Sequence, residues 1–125
     1  MNMLEKLTHL EKEAEAFGFN WENTHQIMSQ IKSECDEVDE HLSNITNDNK
    51  AKLQEEIGDL MHAVFSLCIF CELDAKETLS NSIDKFERRL HAVKMIAEEN
   101  GITTLSGYAF DTLMQFWDQA KKRVG

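Results

Sequence analysis

The sequence predicts an all-α fold, a helical bundle of four main helices plus a shorter amino-terminal one, and three observations carry that reading. Proline is absent and glycine occurs only 5 times in 125 residues, so nothing interrupts long helices. Leu, Glu, Lys, Ala and Met are abundant while β-branched runs are missing, a composition that favours helix over strand. Apolar residues recur at three- and four-residue steps through most of the chain. The length suits one domain with one core, and residues 1–125 are read as a single domain.

Helix one is expected over about Met3 to Phe17, from the spacing of Leu4, Leu7, Leu10, Ala14 and Phe17, with Gly18 as its stop. Asn20 is the expected cap of helix two, whose apolar side carries Ile27, Met28, Ile31, Cys35, Val38 and Leu42. The polar stretch Ser43 to Asn49 reads as a helix–helix turn. Helix three, about Lys50 to Leu73, starts amphipathic and becomes apolar nearly all round from Ala63 to Cys71, which marks it as the most buried element. Asp74 with Glu77 makes a capping-box-like start for helix four, which runs through Leu79, Ile83, Phe86, Leu90, Val93 and Ile96 until Gly101. A linker, Ile102 to Gly107, leads to helix five, with Leu113, Phe116, Trp117 and Ala120 on its inner side.

The net charge of −10 excludes a nucleic-acid polymer or an anionic membrane as partner, since both demand an excess of Lys and Arg. A small anion remains open to it through bound metal and a local basic cluster. The longest nearly apolar run, Ala63 to Cys71, is too short to span a bilayer, and the charged stretch from Glu5 has no signal-peptide core. Three cysteines argue against a secreted disulfide framework, so the chain reads as cytoplasmic. Cys68 and Cys71 form a lone CxxC inside an apolar helix and read as reduced structural thiols.

The chemistry is concentrated in Ile31 to Leu60. Glu34 with Glu37, and Glu56 with Asp59, are carboxylate pairs at i, i+3, each sharing one face of its helix. With helix two ending near Asn44 and helix three starting near Lys50, Glu37 lies seven residues before the turn and Glu56 six after it, so the two are level. Glu34 and Asp59 match one turn further out, at about 1.5 Å of rise per residue. Four facing carboxylates repel unless a cation lies between them, and an all-oxygen set suits Mg²⁺, with Mn²⁺ able to substitute, before Zn²⁺ or Cu²⁺. The neighbouring Asp36, Asp39, Glu40 and Glu55 read as solvated surface.

Lys85 and Arg89 share a face of helix four, where they either neutralise a polyphosphate or form an ordinary basic patch. Trp117 and Lys121 repeat that spacing on helix five, an aromatic ring that either stacks on a base or completes a core, one turn from a cation. Glu22 with His25 and Asp59 with His62 have the carboxylate-x-x-His spacing of di-iron bundles, but the two histidines differ in height by about 10 Å at helical rise. All five histidines are therefore read as structural or surface residues.

The ordered set ExxE (Glu34, Glu37), ExxD within EEIGD (Glu56, Asp59), KFERR (Lys85, Arg89) and WDQAK (Trp117, Lys121) resembles the MazG family of nucleoside triphosphate pyrophosphohydrolases. That family lies within the wider all-α NTP pyrophosphatases, which include dimeric dUTPases. GFNW, Gly18 to Trp21, is similar to the lead-in to the family's metal-binding helix, and the resemblance runs from about residue 14 to 122. One position departs from it. The family usually writes EExxE, and Ser33 stands where the first Glu would be.

The resemblance implies hydrolysis of an NTP or dNTP between the α- and β-phosphates, giving the monophosphate and pyrophosphate. It implies Mg²⁺ on Glu34, Glu37, Glu56 and Asp59, with Glu37 or Glu34 as base, and contact with the nucleotide through Lys85, Arg89, Trp117 and Lys121. It also implies a homo-oligomer, a dimer or a tetramer. The alternatives are a dUTPase-like or phosphoribosyl-ATP pyrophosphatase, and a non-catalytic helical interaction protein whose acidic face serves solubility.

Overall fold

The computed structural model describes residues 1–125, and its regular structure is entirely helical, as the composition predicts. Five helices follow in order: α1 (Met3–Phe17), α2 (Thr24–Leu42), α3 (Lys50–Phe70), α4 (Ala75–Glu99) and α5 (Phe110–Val124). The chain falls into two compact units, Met1–Thr78 and Leu79–Gly125, so that α4 begins in the first and continues in the second. No helix is long and apolar enough to cross a membrane.

In the first unit, local side-chain chemistry sets the helix limits. Asn2 and Glu5 form a reciprocal capping box at the start of α1. Gly18 ends that helix at φ 93°, a left-handed conformation that a side chain would oppose, with Phe19 N–H donating to Ala14 O at 2.8 Å. The cap of α2 is Asn23 rather than Asn20. Asn23 Oδ1 accepts from Gln26 N–H at 3.0 Å, whereas the Asn20 amide donates to Trp21 O and the helix starts only at Thr24.

The α2–α3 turn is held by Asn49, whose Oδ1 accepts from Thr46 N–H at 2.8 Å. Helix α3 stops at Phe70, three residues short of expectation, because Glu72 adopts a positive φ of 61° that no helix continues through. Asp74 Oδ1 then accepts from Glu77 N–H at 2.7 Å and starts α4.

Helices α2 and α3 form the main packed pair of the first unit, with Ile27, Val38, Leu53 and Ala63 buried. Ile27 is fully excluded from solvent. Ile27→Ala should therefore lower the unfolding free energy by about 2–5 kcal/mol, read from urea melts. As the sequence predicts, α3 is the most buried helix: Leu53, Glu56, Ala63 and Ser66 are buried and Leu60, Phe65, Leu67, Cys68 and Ile69 half-buried, a larger share than in any other helix. Its apolarity nonetheless extends past its burial: Ile57, Met61 and Val64 are 39, 55 and 47 % exposed, in a stripe that starts one turn on from the buried Leu53 and runs along the edge of the buried face. Sequence periodicity reports apolarity and cannot say what covers it.

In the second unit, Ala92, Ile96 and Ala97 of α4 pack with Phe116 and Ala120 of α5, and Val93, Ile102 and Leu105 close over them. Gly101, at φ 72°, ends α4 where the sequence places the stop. A two-bond pair joins Arg123 to Glu99 at 2.6 and 3.3 Å and holds the Glu99 carboxyl below the ordinary carboxylate value. Both side chains are about half exposed, so the pair orients α5 more than it stabilises the unit.

Candidate active site

Two neighbouring turns of α2 and two of α3 bring four carboxylates into one place. Glu34 and Glu56 are buried, at 9 and 7 % exposure, and a carboxylate oxygen from each lies within 4.8 Å of the other and of one from Asp59. Glu37, one turn beyond Glu34, is exposed and lies beside this group. The neighbouring Glu56 carboxyl, with which a protonated Glu37 can share its proton, and the charges of Glu34 and Glu56 raise the Glu37 pKa above its ordinary value.

The buried end of the cluster is incompletely satisfied. Glu34 Oε1 accepts from Gln30 Nε2 at 2.7 Å, while its other oxygen, Oε2, is buried with no hydrogen-bond partner. Leaving a buried acceptor unpaired costs about 1–3 kcal/mol, and more when it is charged. Lys52 partly offsets the charge from one side, with Nζ 3.4 Å from Glu56 and 3.6 Å from Glu55. A flexible ammonium at the rim does not satisfy the inner oxygen. Four oxygen donors, two of them buried and one unpartnered, fit a hard divalent cation.

Nitrogen and sulfur ligands are missing from this group. His62, three residues beyond Asp59, directs Nε2 to Glu11 Oε1 at 3.0 Å instead of to the carboxylates. His41 contacts the Glu37 backbone carbonyl through Nδ1 at 2.9 Å, and the three cysteines are free. Cys71 is exposed rather than set in a core, because it caps α3 instead of lying within it.

The basic and aromatic candidates belong to the second unit. The Arg89 guanidinium lies over the Trp117 ring, 5.5 Å from its centroid, and Arg89 Nε donates to Gly125 O at 3.0 Å. Phe86 flanks the same ring at 6.1 Å, tilted by 49°. Trp117 is half-buried, neither a core residue nor a free ring. Lys121 pairs with Asp118 at 3.5 Å, and Lys85 is exposed.

Sequence reasoning missed Gln30 and Lys52, although each sits four residues before the carboxylate it contacts and that spacing was legible. It also missed Glu11, which accepts hydrogen bonds from His62 and from Ser66, 55 residues away. No local pattern marks such a pairing.

Comparison with known proteins gives the chain's family. A family model for the MazG nucleotide pyrophosphohydrolase domain matches residues 22–94, a span holding all four carboxylates with Lys85 and Arg89 but ending before Trp117 and Lys121. The nucleoside triphosphate pyrophosphohydrolase of Escherichia coli (strain K12) is 30% identical over 114 residues, covering 91% of this chain and 43% of the relative. The nucleoside triphosphate pyrophosphohydrolase/pyrophosphatase MazG of Thermotoga maritima is 25% identical over 112 residues, 90% of this chain and 41% of that protein. The uncharacterized protein YabN of Bacillus subtilis is 29% identical over 70 residues, 56% of this chain and 14% of its own length. The chain thus spans less than half of the length of these relatives. With the family model covering more than half of its residues, the chain belongs to the MazG nucleotide pyrophosphohydrolase domain family.

Proposed function

We propose that this chain acts in the cytoplasm, as one catalytic domain, hydrolysing nucleoside and deoxynucleoside triphosphates at the α–β bond to the monophosphate and pyrophosphate. The observation that carries the reading is Glu34 Oε2, a buried and unpartnered oxygen in a group whose Glu34, Glu56 and Asp59 carboxylates lie within 4.8 Å of one another. The names of the Escherichia coli and Thermotoga maritima relatives support the reaction class. Glu34, Glu37, Glu56 and Asp59 are the residues that would hold Mg²⁺, or Mn²⁺ in its place. Such an ion, when bound, neutralises phosphate charge and acidifies water.

The chain's own residues do the rest. Gln30 fixes the rotamer of Glu34 through its 2.7 Å hydrogen bond, so the buried carboxylate is positioned before substrate arrives. Glu37 is the better placed of the two candidate bases. Its carboxylate is exposed and already has an increased affinity for a proton, whereas Glu34 is buried and tied to Gln30. Ser33, in place of the family's first Glu, is exposed and no step here requires it. Lys85, Arg89 and Lys121 take up charge on the phosphates, and Trp117 meets the nucleotide.

Product analysis on the eight common NTPs and dNTPs with Mg²⁺ tests the reaction. Monophosphate with pyrophosphate is expected, and release of orthophosphate, or no release, would overturn it. Including phosphoribosyl-ATP and dUTP in the panel separates the narrower pyrophosphatases from this one.

The same reading includes self-association into a dimer or tetramer. Leu79, Ile83, Phe86 and Leu90 recur along one face of α4 at 41, 56, 56 and 39 % exposure, and the Ile57, Met61 and Val64 stripe of α3 is similarly open. Contiguous exposed apolar faces of this kind are what isologous interfaces cover. Light scattering at micromolar concentration should give a mass of two or four chains, and monomer alone would remove this part of the proposal.

A further inference from the structure

We infer that a cavity between α1 and α3 is a nucleobase pocket in which Glu11 selects bases that carry an exocyclic amino group. The inference rests on the nucleotide reading above and names the part of the substrate that the carboxylate group does not. The cavity measures about 1240 Å³ and lies wholly within the first unit. Ligand pockets run to roughly 300–1,000 Å³, so a nucleoside fits with room for water. Glu34 and Asp59 also line it, which makes it continuous with the carboxylate group. Leu7, Leu10, Trp21 and Phe70 give it apolar and aromatic walls of the sort on which a base stacks.

Into this wall the fold sets one polar arrangement. Glu11 Oε1 accepts from Ser66 Oγ at 2.5 Å and from His62 Nε2 at 3.0 Å. Ser66 is 5 % exposed, so its hydroxyl is committed to this bond. Two donors fill the two acceptor sites of Oε1 and fix the plane of the carboxylate. Glu11 Oε2 receives no hydrogen bond from the protein, and Glu11, Ser66 and His62 all border the cavity.

A fixed acceptor beside apolar walls discriminates by donor placement. Adenine, cytosine and guanine each present an amino N–H at the edge of the ring. Thymine and uracil present an imide N–H between two carbonyl oxygens, and those oxygens would face the carboxylate and be repelled by it. A site built to hydrogen-bond one edge rejects the edge that lacks the partner far more strongly than an apolar pocket rejects a change of size. A mere staple between α1 and α3 would need only Oε1.

Calorimetric binding of dAMP, dCMP, dGMP, dTMP and dUMP to the wild-type chain and to Glu11→Gln tests the pocket. The wild type should bind the amino-bearing monophosphates about tenfold or more tighter than dTMP and dUMP. The Gln side chain keeps an oxygen for Ser66 and places an N–H₂ where Oε2 stood, so the preference should collapse or reverse. Ser66→Ala, which leaves Oε2 in place, should keep its direction. Melting curves on each variant identify any that fail to fold. Equal binding of all five by the wild type, no binding of any at millimolar concentration, or the same loss for all five in folded Glu11→Gln would overturn the inference. Pyrophosphate release is scored separately. A chain that selects amino-bearing monophosphates but hydrolyses no triphosphate loses the proposed reaction and keeps the pocket, and the converse loses only the pocket.

Discussion

Asp59→Asn and Glu37→Gln are each expected to abolish pyrophosphate release while leaving the chain folded. Loss of a group that only supports a metal ligand typically costs 10–100-fold, so loss of a ligand should lower turnover by more than about 100-fold. Stability moves the other way in the metal-free protein. Each substitution removes one of four mutually repelling carboxylates, three of which have oxygens within 4.8 Å of one another. For Glu37 the sign follows from its raised pKa, whose causes are proton sharing with the neighbouring Glu56 carboxyl and then the charge of Glu34. A carboxyl raised on folding contributes stability that is fully present below its ordinary value of 4.5 and is lost as pH rises through the raised value. At neutral pH Glu37→Gln therefore gives up nothing from this source and relieves repulsion. Melting curves with and without Mg²⁺ read both effects together. The wild type should gain about 2.7 kcal/mol at a Mg²⁺ concentration of 100 times Kd, and the two variants little or nothing. Wild-type turnover in both variants would sink the metal assignment.

Those carboxylates were legible in the sequence because helix geometry converts spacing into position. Two i, i+3 pairs at equal distances from one polar turn had to meet if the turn closed a hairpin, and Ser43 to Asn49 does close one. The helix stops at Gly18 and Gly101 were legible for a related reason, since a residue with no Cβ after an apolar period marks a left-handed backbone. Asn20 and Asn23 show where this logic ends. Both are good caps by residue type, and the choice depends on which side chain reaches a free N–H, which only the three-dimensional course of residues 18–24 decides.

Contacts across long separations were the other blind point. Glu11 looks like any exposed acidic residue of an amphipathic helix, and Ser66 like a polar interruption in an apolar run. Only the docking of α1 on α3 turns the pair into a hydrogen bond. The open edge of α3 was hidden for a different reason. Ile57, Met61 and Val64 are as apolar as core residues, and burial inside one chain or between copies leaves the same trace in sequence.

Arg89→Ala should lower kcat/KM for triphosphates on the order of 100-fold, the scale on which removal of one charge-stabilising donor acts, and should leave Mg²⁺ binding without nucleotide unchanged. In the absence of substrate this guanidinium is not idle. It lies 5.5 Å from the Trp117 centroid and donates to Gly125 O, so its removal also uncovers the ring. A stacked cation at such a partly open place contributes about 0.5–1 kcal/mol, too little to unfold the unit. Arg89→Lys separates the two roles. It keeps the positive charge for the phosphates but loses the planar group that covers indole, so it should recover much of kcat/KM without restoring the stacking. Trp117→Ala completes the set. The ring is half-buried between Phe86 and Arg89, so truncation should raise KM if it also meets the nucleotide, and should lower the melting temperature alone if it only packs. Unaltered kcat/KM in Arg89→Ala across the nucleotide panel, with a small fall in melting temperature, would reduce Arg89 to a cover for Trp117. The phosphate charge would then have to be met by Lys85 and by whatever part of Lys121 its 3.5 Å pairing with Asp118 leaves free.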